Sequence, residues 1–349
     1  MSNKELLKEF KDKKILVTGG TGSIGSVIIE ELLKYQPRQI RVFSRDETKQ
    51  FELSHRLGQG APVTYLIGDI RDKDRLNLAM EGIDIVFHAA ALKHVLACEQ
   101  NPFEAVKTNV NGTQNVIDCA FANQVDKVVS ISTDKATNPT NIMGCTKLLA
   151  EKLLLTTFFY KGKKKTKFCC VRFGNVLGAR GSVIPLFASQ IKKGKQVTVT
   201  DPDMTRFVMS IPQAVNLVLC AASLVQDREI FILKMPVATT GDIAQAMIEL
   251  GQEKLKNKDK IDIKIVGKKD GERLHEKLLT IEESVLAMET KDMFIVLPDI
   301  KLAPHLPNYT PVKYPGASKA KVMEYNTQMQ EKLSVKEIKH LLEEVKPFK

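Results

Sequence analysis

Residues 14–25, KILVTGGTGSIG, constrain this chain more than any other segment. A β-branched run leads straight into a Gly-rich turn. SIGSVIIEELLKY (23–35) follows, with apolar spacing that suits a helix. Gly19 permits a tight turn, Gly22 lets the backbone approach an anion, and Gly25 lets the helix close on the strand. Free N–H groups at the start of such a helix attract negative charge. A strand, a Gly-rich turn and a helix in this order predict a cradle for a dinucleotide pyrophosphate.

The rest of the first half keeps the same rhythm. IRVFS (40–44), VTYLI (63–67), IDIVFHAA (83–90), KVVSIS (127–132) and FCCVRF (168–173) are continuous apolar runs, as strands buried on both faces require. Helix-period segments at 46–57, 72–80, 103–123 and 140–158 separate them. The order predicts an α/β fold: a Rossmann-type doubly wound parallel sheet with a smaller C-terminal α+β substrate-binding lobe. We place the dinucleotide-binding part at 1–185, with a return segment near 206–236, and the predominantly substrate-binding lobe at 186–349. In that second part GSVIPLFASQIKKG, TRFVMSIPQAVNLVLCAASL, 239–250, 272–289 and 334–345 read as helical, and EIFILKM (229–235) and IDIKIVG (261–267) as strands. The Pro-rich stretch 299–317 reads as a surface loop.

With 349 residues the chain suits about two domains, or one large fold with an added lobe. Lys and Arg number 52 against 41 Asp and Glu, a net charge of +11, so anionic partners are expected. The absence of Trp, with aromatics at 6%, argues against a stacker of single-stranded bases. No run approaches the ~20 apolar residues of a membrane span, and the polar start is unlike a signal peptide, so a cytoplasmic protein is expected. Cys98, Cys119, Cys145, Cys169, Cys170 and Cys220 lack CxxC spacing and read as small buried thiols, so no metal site is expected. The Lys-rich stretches 161–167 and 253–260 read as solvated turns.

The dinucleotide cradle is expected from Gly19, Thr21, Gly22, Ser23, Ile24 and Gly25. At the end of the second strand stand Ser44, Arg45 and Asp46, with Lys49 one helical step on. Ser44, Arg45 and Lys49 suit a ribose 2′-phosphate and favour NADP; Asp46 reads alternatively as a helix N-cap. Asp69, with Ile70 beside it, follows the third strand and suits an adenine amino group, or stabilises a turn. Ala89 and Ala90 follow the fourth strand and flank the same site.

Three more segments narrow the choice: HAAALKHV (88–95), STDKATNPTNIMGCTKLLAEK (132–152) and RFGNVLGARGSVIPLF (172–187). With TGGTGSIG, SRDETKQFEL, GERLHEKLL and YNTQMQEKLSVKEIKHLL they resemble the extended short-chain dehydrogenase/reductases. More closely, they resemble the nucleotide-sugar 4,6-dehydratases that act on UDP-N-acetylglucosamine. The resemblance spans about residues 12–345. It implies NADP, a UDP-sugar substrate and a homo-oligomer working for surface glycan or glycoprotein sugars, without nucleic acid or a membrane span. In this reaction class a hydride leaves sugar C4, a base removes the C5 proton, an acid helps the C6 hydroxyl leave, and the hydride returns to C6.

By resemblance Lys135 is the C5 base and Asp134 the acid; read alone, the pair is an ordinary turn after a strand. A base of this kind requires a lowered lysine pKa, from burial or a neighbouring cation such as Lys147. Most relatives in the wider family carry Tyr four residues before the helix Lys; here that position is Met143, ahead of Lys147. A side chain that cannot ionise excludes Tyr–Lys chemistry. Thr133 is then expected to bind the C4 hydroxyl, with Asp134 or Lys135 accepting its proton, while Lys147 holds the nicotinamide ribose. Resemblance also implies a cofactor-side role for Asn109. Substrate contacts are implied for Lys93, Met143, Asn175, Arg206, Lys269 and Glu272, and for His94, which reads equally as structural. Where relatives carry Arg-Pro, this chain has Lys269-Asp270, and lysine lacks the planar fork. A UDP-sugar epimerase and a non-catalytic NADP- or RNA-binding protein are the rival expectations.

Overall fold

A computed structural model describes residues 2–256, 260–299 and 313–348. Six parallel strands form first: β1 (Lys14–Thr18), β2 (Gln39–Ser44), β3 (Val63–Ile67), β4 (Ile85–His88), β5 (Lys127–Ile131) and β6 (Lys167–Arg172). Their order is β6-β5-β4-β1-β2-β3. Thus β1 to β3 wind one way and β4 to β6 the other, and the reversal lies between β1 and β4. Such a switch point opens a crevice at the carboxyl ends of the strands. β1 and β4 are buried along nearly their whole length, as their unbroken apolar runs require.

Glu229–Leu233 adds to β6 in parallel, the return expected from EIFILKM. Beyond it Met293–Val296, Ala287–Glu289 and Ser318–Lys319 extend the sheet antiparallel to ten strands. A second core gathers around Ile184, Phe187, Met247, Ile338 and Leu342, from the helices Val183–Lys192, Thr240–Leu255 and Val335–Val345.

Several expectations are corrected. TRFVM is a strand, Thr205–Met209, paired with Asn175–Val176 and Val237–Thr239. The helix that follows begins only at Ile211, where Gln213 accepts the Ser210 N–H at 3.0 Å and Pro212 occupies the first turn. Segment 272–289 is not one helix. It holds the strand Lys277–Leu279, the short helix Ile281–Val285 and the strand Ala287–Glu289. Helix 103–123 is broken by a π-helical turn at Val106–Asn111. The strand expected in IDIKIVG is present at Ile263–Ile265 and pairs with Val197–Val199. Cys145 is exposed, whereas the other five cysteines are buried. The expectations for 300–312, and for 257–259 in the second Lys-rich stretch, lie outside the described residues.

Two polar groups tie these layers together. Arg172, 1% exposed, sends its guanidinium to Glu151 and Glu283 and donates to the Leu278 carbonyl at 2.9 Å. His88, at the end of β4, is fully buried between Thr18 and Thr113. The Thr113 hydroxyl donates to the Asn109 carbonyl, so it accepts from His88 Nε2–H, and Thr18 donates to Nδ1. The ring is therefore neutral. Burial pushes its pKa down to about 3. A group whose folded pKa lies below its unfolded one stabilises above the unfolded value and loses that contribution as pH falls. His88 is expected to cost about 2 kcal/mol of stability between pH 8 and pH 5, as 1.5 units of protonation are opposed. Thermal unfolding from pH 8 to pH 4 checks this: His88→Gln should flatten the acid slope.

Candidate active site

A cleft of about 740 Å³ opens at the reversal between β1 and β4. The turn after β1 forms its floor. Gly19 takes a φ of +65°, and a Cβ there would stand 2.7 Å from the Ala90 nitrogen. Glycine is thus what lets the β1 and β4 ends meet. The helix Ser23–Leu33 starts at Gly22 without a side-chain cap, so its first N–H groups face the cleft unspent. This cradle fits a dinucleotide pyrophosphate by shape and by charge.

All of Gly19, Thr21, Gly22, Ser23, Ile24, Gly25, Ser44, Arg45, Asp46, Lys49, Asp69, Ile70, Ala89 and Ala90 line the cleft. Asp46 caps the helix Glu47–Leu57, accepting the Lys49 N–H at 3.0 Å, and its other oxygen binds the Lys49 ammonium. That hydrogen bond holds its carboxyl below the usual range. Asp69 both closes its turn, accepting from Arg71, and sits 3.6 Å from Arg45.

Asn109 is the exception among the expected cofactor residues. It is 1% exposed and does not reach the cleft. The π-helical turn aims its amide at the loop after β4, where it accepts the Leu92 N–H at 2.7 Å and donates to the Leu92 carbonyl and to Thr146. It shapes the wall of the site without touching its contents.

The turn after β5 carries Thr133, Asp134 and Lys135. Thr133 and Lys135 line the cleft; Asp134 lies fully buried behind them. Thr133 donates to Asp134 Oδ1 at 2.8 Å, and Lys135 Nζ reaches the same oxygen at 3.0 Å. The helix Ile142–Leu155 packs on this turn because position 144 is glycine: a Cβ there would strike the Lys135 carbonyl. Met143, Lys147 and Glu151, four residues apart, share one buried face. Met143 reaches the cleft and packs with Cys98 and Ala105. Lys147 lines it too, donating to the Ile131 carbonyl at 2.6 Å, and burial lowers its pKa.

Lys135 departs from expectation. Burial alone would lower its pKa, but Asp134 and Glu276 outweigh burial and hold it above the ordinary lysine range. The resting side chain is an ammonium, so the requirement for a lowered pKa is not met by this arrangement. Arg206, the neighbouring cation, stands 3.8 Å from Glu276 and not on the cleft. It is 8% exposed and committed to the Thr205 and Leu274 carbonyls.

Of the other expected substrate residues, Lys93 and His94 line the cleft. Lys93 donates to the Arg180 carbonyl at 2.5 Å, and burial followed by Arg180 lowers its pKa. Asn175 lies outside the lining, in the short strand between Gly174 and Val176, which do line it. Lys269 and Glu272 pair with each other, backbone N–H to carboxylate at 3.1 Å, away from the cleft. Two residues were missed. Arg180 lines the cleft, binds the Thr21 carbonyl through its guanidinium, and donates its N–H to Ser23 Oγ at 2.9 Å. Glu276 sits 3.5 Å from Lys135. Both lie in segments that carried the family resemblance, GARGSV and GERLHEK, which was the available signal.

A family model described as "Polysaccharide biosynthesis protein" matches residues 15–298. The chain belongs to that family. It is an extended short-chain dehydrogenase/reductase, 43% identical over 295 residues to the UDP-N-acetylglucosamine 4,6-dehydratase (inverting) of Campylobacter jejuni. That match covers 84% of this chain and 85% of the relative. The UDP-glucose 4-epimerase of Rickettsia rickettsii is 40% identical over 339 residues, 95% of this chain and 96% of its own. Among solved structures, Pen from Bacillus thuringiensis superposes with a TM-score of 0.88 at 45% identity, covering 97% of this chain and 99% of that one.

Removing the Asn109 amide should leave the half-buried Leu92 backbone groups without that partner. Asn109→Ala is expected to cost about 1–3 kcal/mol of stability, read by calorimetry, while Asn109→Asp keeps the acceptor and loses only the donors.

Proposed function

We propose that this chain is an NADP-dependent UDP-N-acetylglucosamine 4,6-dehydratase forming a UDP-4-keto-6-deoxy-N-acetylhexosamine. A cytoplasmic homo-oligomer serving surface glycan or glycoprotein sugars is the expected setting. The observation that carries the reading is the Thr133–Asp134–Lys135 turn opening onto the same cleft as the glycine cradle, with Met143 where a phenol would otherwise act.

A nicotinamide held at Lys147 would supply reversible hydride transfer to the sugar. The chain's own residues must then move protons. Thr133 is hydrogen-bonded to Asp134, so a C4 hydroxyl on Thr133 has a route to that carboxylate. Asp134 then carries a proton suited to the departing C6 oxygen, and Lys135 is the amine beside it for C5. Lys147 is the candidate holder of the nicotinamide ribose. Lys93 and His94 line the sugar side, and the second core, predominantly from residue 186 on, is the candidate substrate lobe. NADP is favoured because Ser44, Arg45, Lys49 and Arg180 surround one end of the cleft, while Asp46 is already engaged by Lys49. Phosphate in such a setting gains charge-assisted bonds.

The likeness to a UDP-glucose 4-epimerase over nearly the whole chain favours one second reading, a UDP-sugar 4-epimerase. Purified protein incubated with UDP-N-acetylglucosamine separates the two. The dehydratase gives a product lighter by one water; an epimerase gives one of unchanged mass. Lys135→Ala should cut kcat by about 10²–10⁴ while NADPH still binds. Arg45→Ala should weaken NADPH about tenfold and NADH little, read by nucleotide fluorescence.

A further inference from the structure

Behind the cleft two carboxylates face one lysine. Asp134 and Glu276 stand 3.0 Å and 3.5 Å from Lys135 Nζ. Asp134 Oδ2 and Glu276 Oε2 are both buried without a hydrogen-bond partner among the described residues. Glu276 is 3% exposed and reaches the site from a distant segment. Its backbone is fixed on Thr327, which accepts the Glu276 N–H at 2.9 Å and donates its own N–H to the Glu276 carbonyl. The charged groups around it are Asp134 and Lys135 from the turn after β5, Arg206 from the strand Thr205–Met209, and Arg273 from its own segment. His275 is turned to Thr205 Oγ1 at 2.8 Å. A buried carboxylate with one bare oxygen beside an ammonium is poised to receive a proton.

We infer that Glu276 governs the protonation state of Lys135 by taking its proton, so that the ammonium of the resting site becomes the amine the reaction needs. The inference deepens the dehydratase reading and rests on it for its catalytic consequence. The proton balance closes. Lys135 gives one proton to Glu276 and becomes an amine. Its lone pair then takes the proton from sugar C5, and the electrons of that C–H bond move toward the C4 ketone. Asp134, holding the proton from the C4 hydroxyl, passes it to the C6 oxygen, which leaves as water. When C5 is reprotonated by Lys135, Glu276 returns the borrowed proton, and the chain ends in its starting charge state. Burial, which favours the neutral carboxyl of Glu276, acts in the same direction. Glu276 stays behind Lys135, off the lining of the cleft, and so acts as a positioning and proton-holding residue.

The test is Glu276→Gln, which keeps shape and removes the acceptor. NMR of the full chain with 13C-labelled lysine reads Lys135 directly, with Lys135→Arg supplying the assignment. In Glu276→Gln the Lys135 ammonium should titrate about one pH unit or more lower than in the parent, since one of its two carboxylates is gone. An unchanged titration overturns the inference, whatever reaction the protein performs. For turnover, kcat should fall at least about tenfold at pH 7, because Lys135, although it titrates lower, is still an ammonium held by Asp134 and has lost its internal acceptor, and it should recover as pH is raised toward 9, where solvent base removes the proton. KM and NADPH affinity should stay within about twofold, and Glu276→Asp should restore part of the neutral rate. A loss equal at every pH, or no loss, overturns the catalytic role. A parent protein that never releases water from the sugar nucleotide sinks the dehydratase reading alone, and the NMR titration still decides the link between Glu276 and Lys135.

Discussion

The ion cluster at Arg172 is the contact on which the site's geometry hangs. A guanidinium buried at the end of β6 must be fully satisfied, since an unpaired charge there would cost several kcal/mol. Glu151 and Glu283 supply four oxygens to it. Burial pushes the Glu283 carboxyl up, yet Arg172 more than offsets this and keeps it below the usual range. Glu151 belongs to the helix that carries Met143 and Lys147; Glu283 belongs to the segment that carries Glu276. One side chain therefore locks the helix wall of the cleft to the distant segment standing behind Lys135. Packing alone would leave both free to slide, because apolar contacts have no direction.

Much of this was legible in the sequence, and the reasons are local. β1 to β6 are short, mostly apolar runs, buried on both faces in the middle of the sheet and half-buried at the β3 edge, so their boundaries follow from composition within a residue or two. Gly19, Gly22 and Gly25 announce themselves because only glycine tolerates the approach of β1 to β4 at Gly19, and the Gly19 carbonyl leaves no room for a Cβ at Gly22 or Gly25. The second half was less readable. TRFVMSIPQAV joins a strand to a helix across one residue, and nothing in its apolar spacing separates the two except the Ser210–Pro212 cap. Segment 272–289 failed for a related reason. Lys277–Leu279 pairs with the distant Tyr325–Asn326, while Ala287–Glu289 turns back on Met293–Val296, and strands of three residues are too short to show a period of their own.

The site divides the same way. Residues held by neighbours in sequence, such as Asp46 capping its own helix, were legible together with their alternative role. Residues whose meaning depends on a distant partner were not. Lys135 was expected to be a lowered-pKa base because burial, or a cation such as Lys147, was counted as its company, and Arg206 was expected on the substrate. In the fold Arg206 faces Glu276, Lys147 faces the Ile131 carbonyl, and two carboxylates close on Lys135 instead. Charge is set by who arrives in three dimensions, and spacing along the chain carries no record of it.

The placement of Glu276 also bears on how the chain is made. The glycine cradle and the turn bearing Lys135 need only β1 to β6, contacts that can form while the ribosome is still adding the rest. Glu276 arrives with a later segment, and the Met293–Val296 strand that seals the sheet beside it pairs antiparallel later still. Long-range pairings of this kind close slowly, after the loop entropy has been overcome. A nascent chain would thus complete its glycine cradle before Glu276 reaches Lys135, and the charge environment of that lysine would be set only when the last third of the chain has been made.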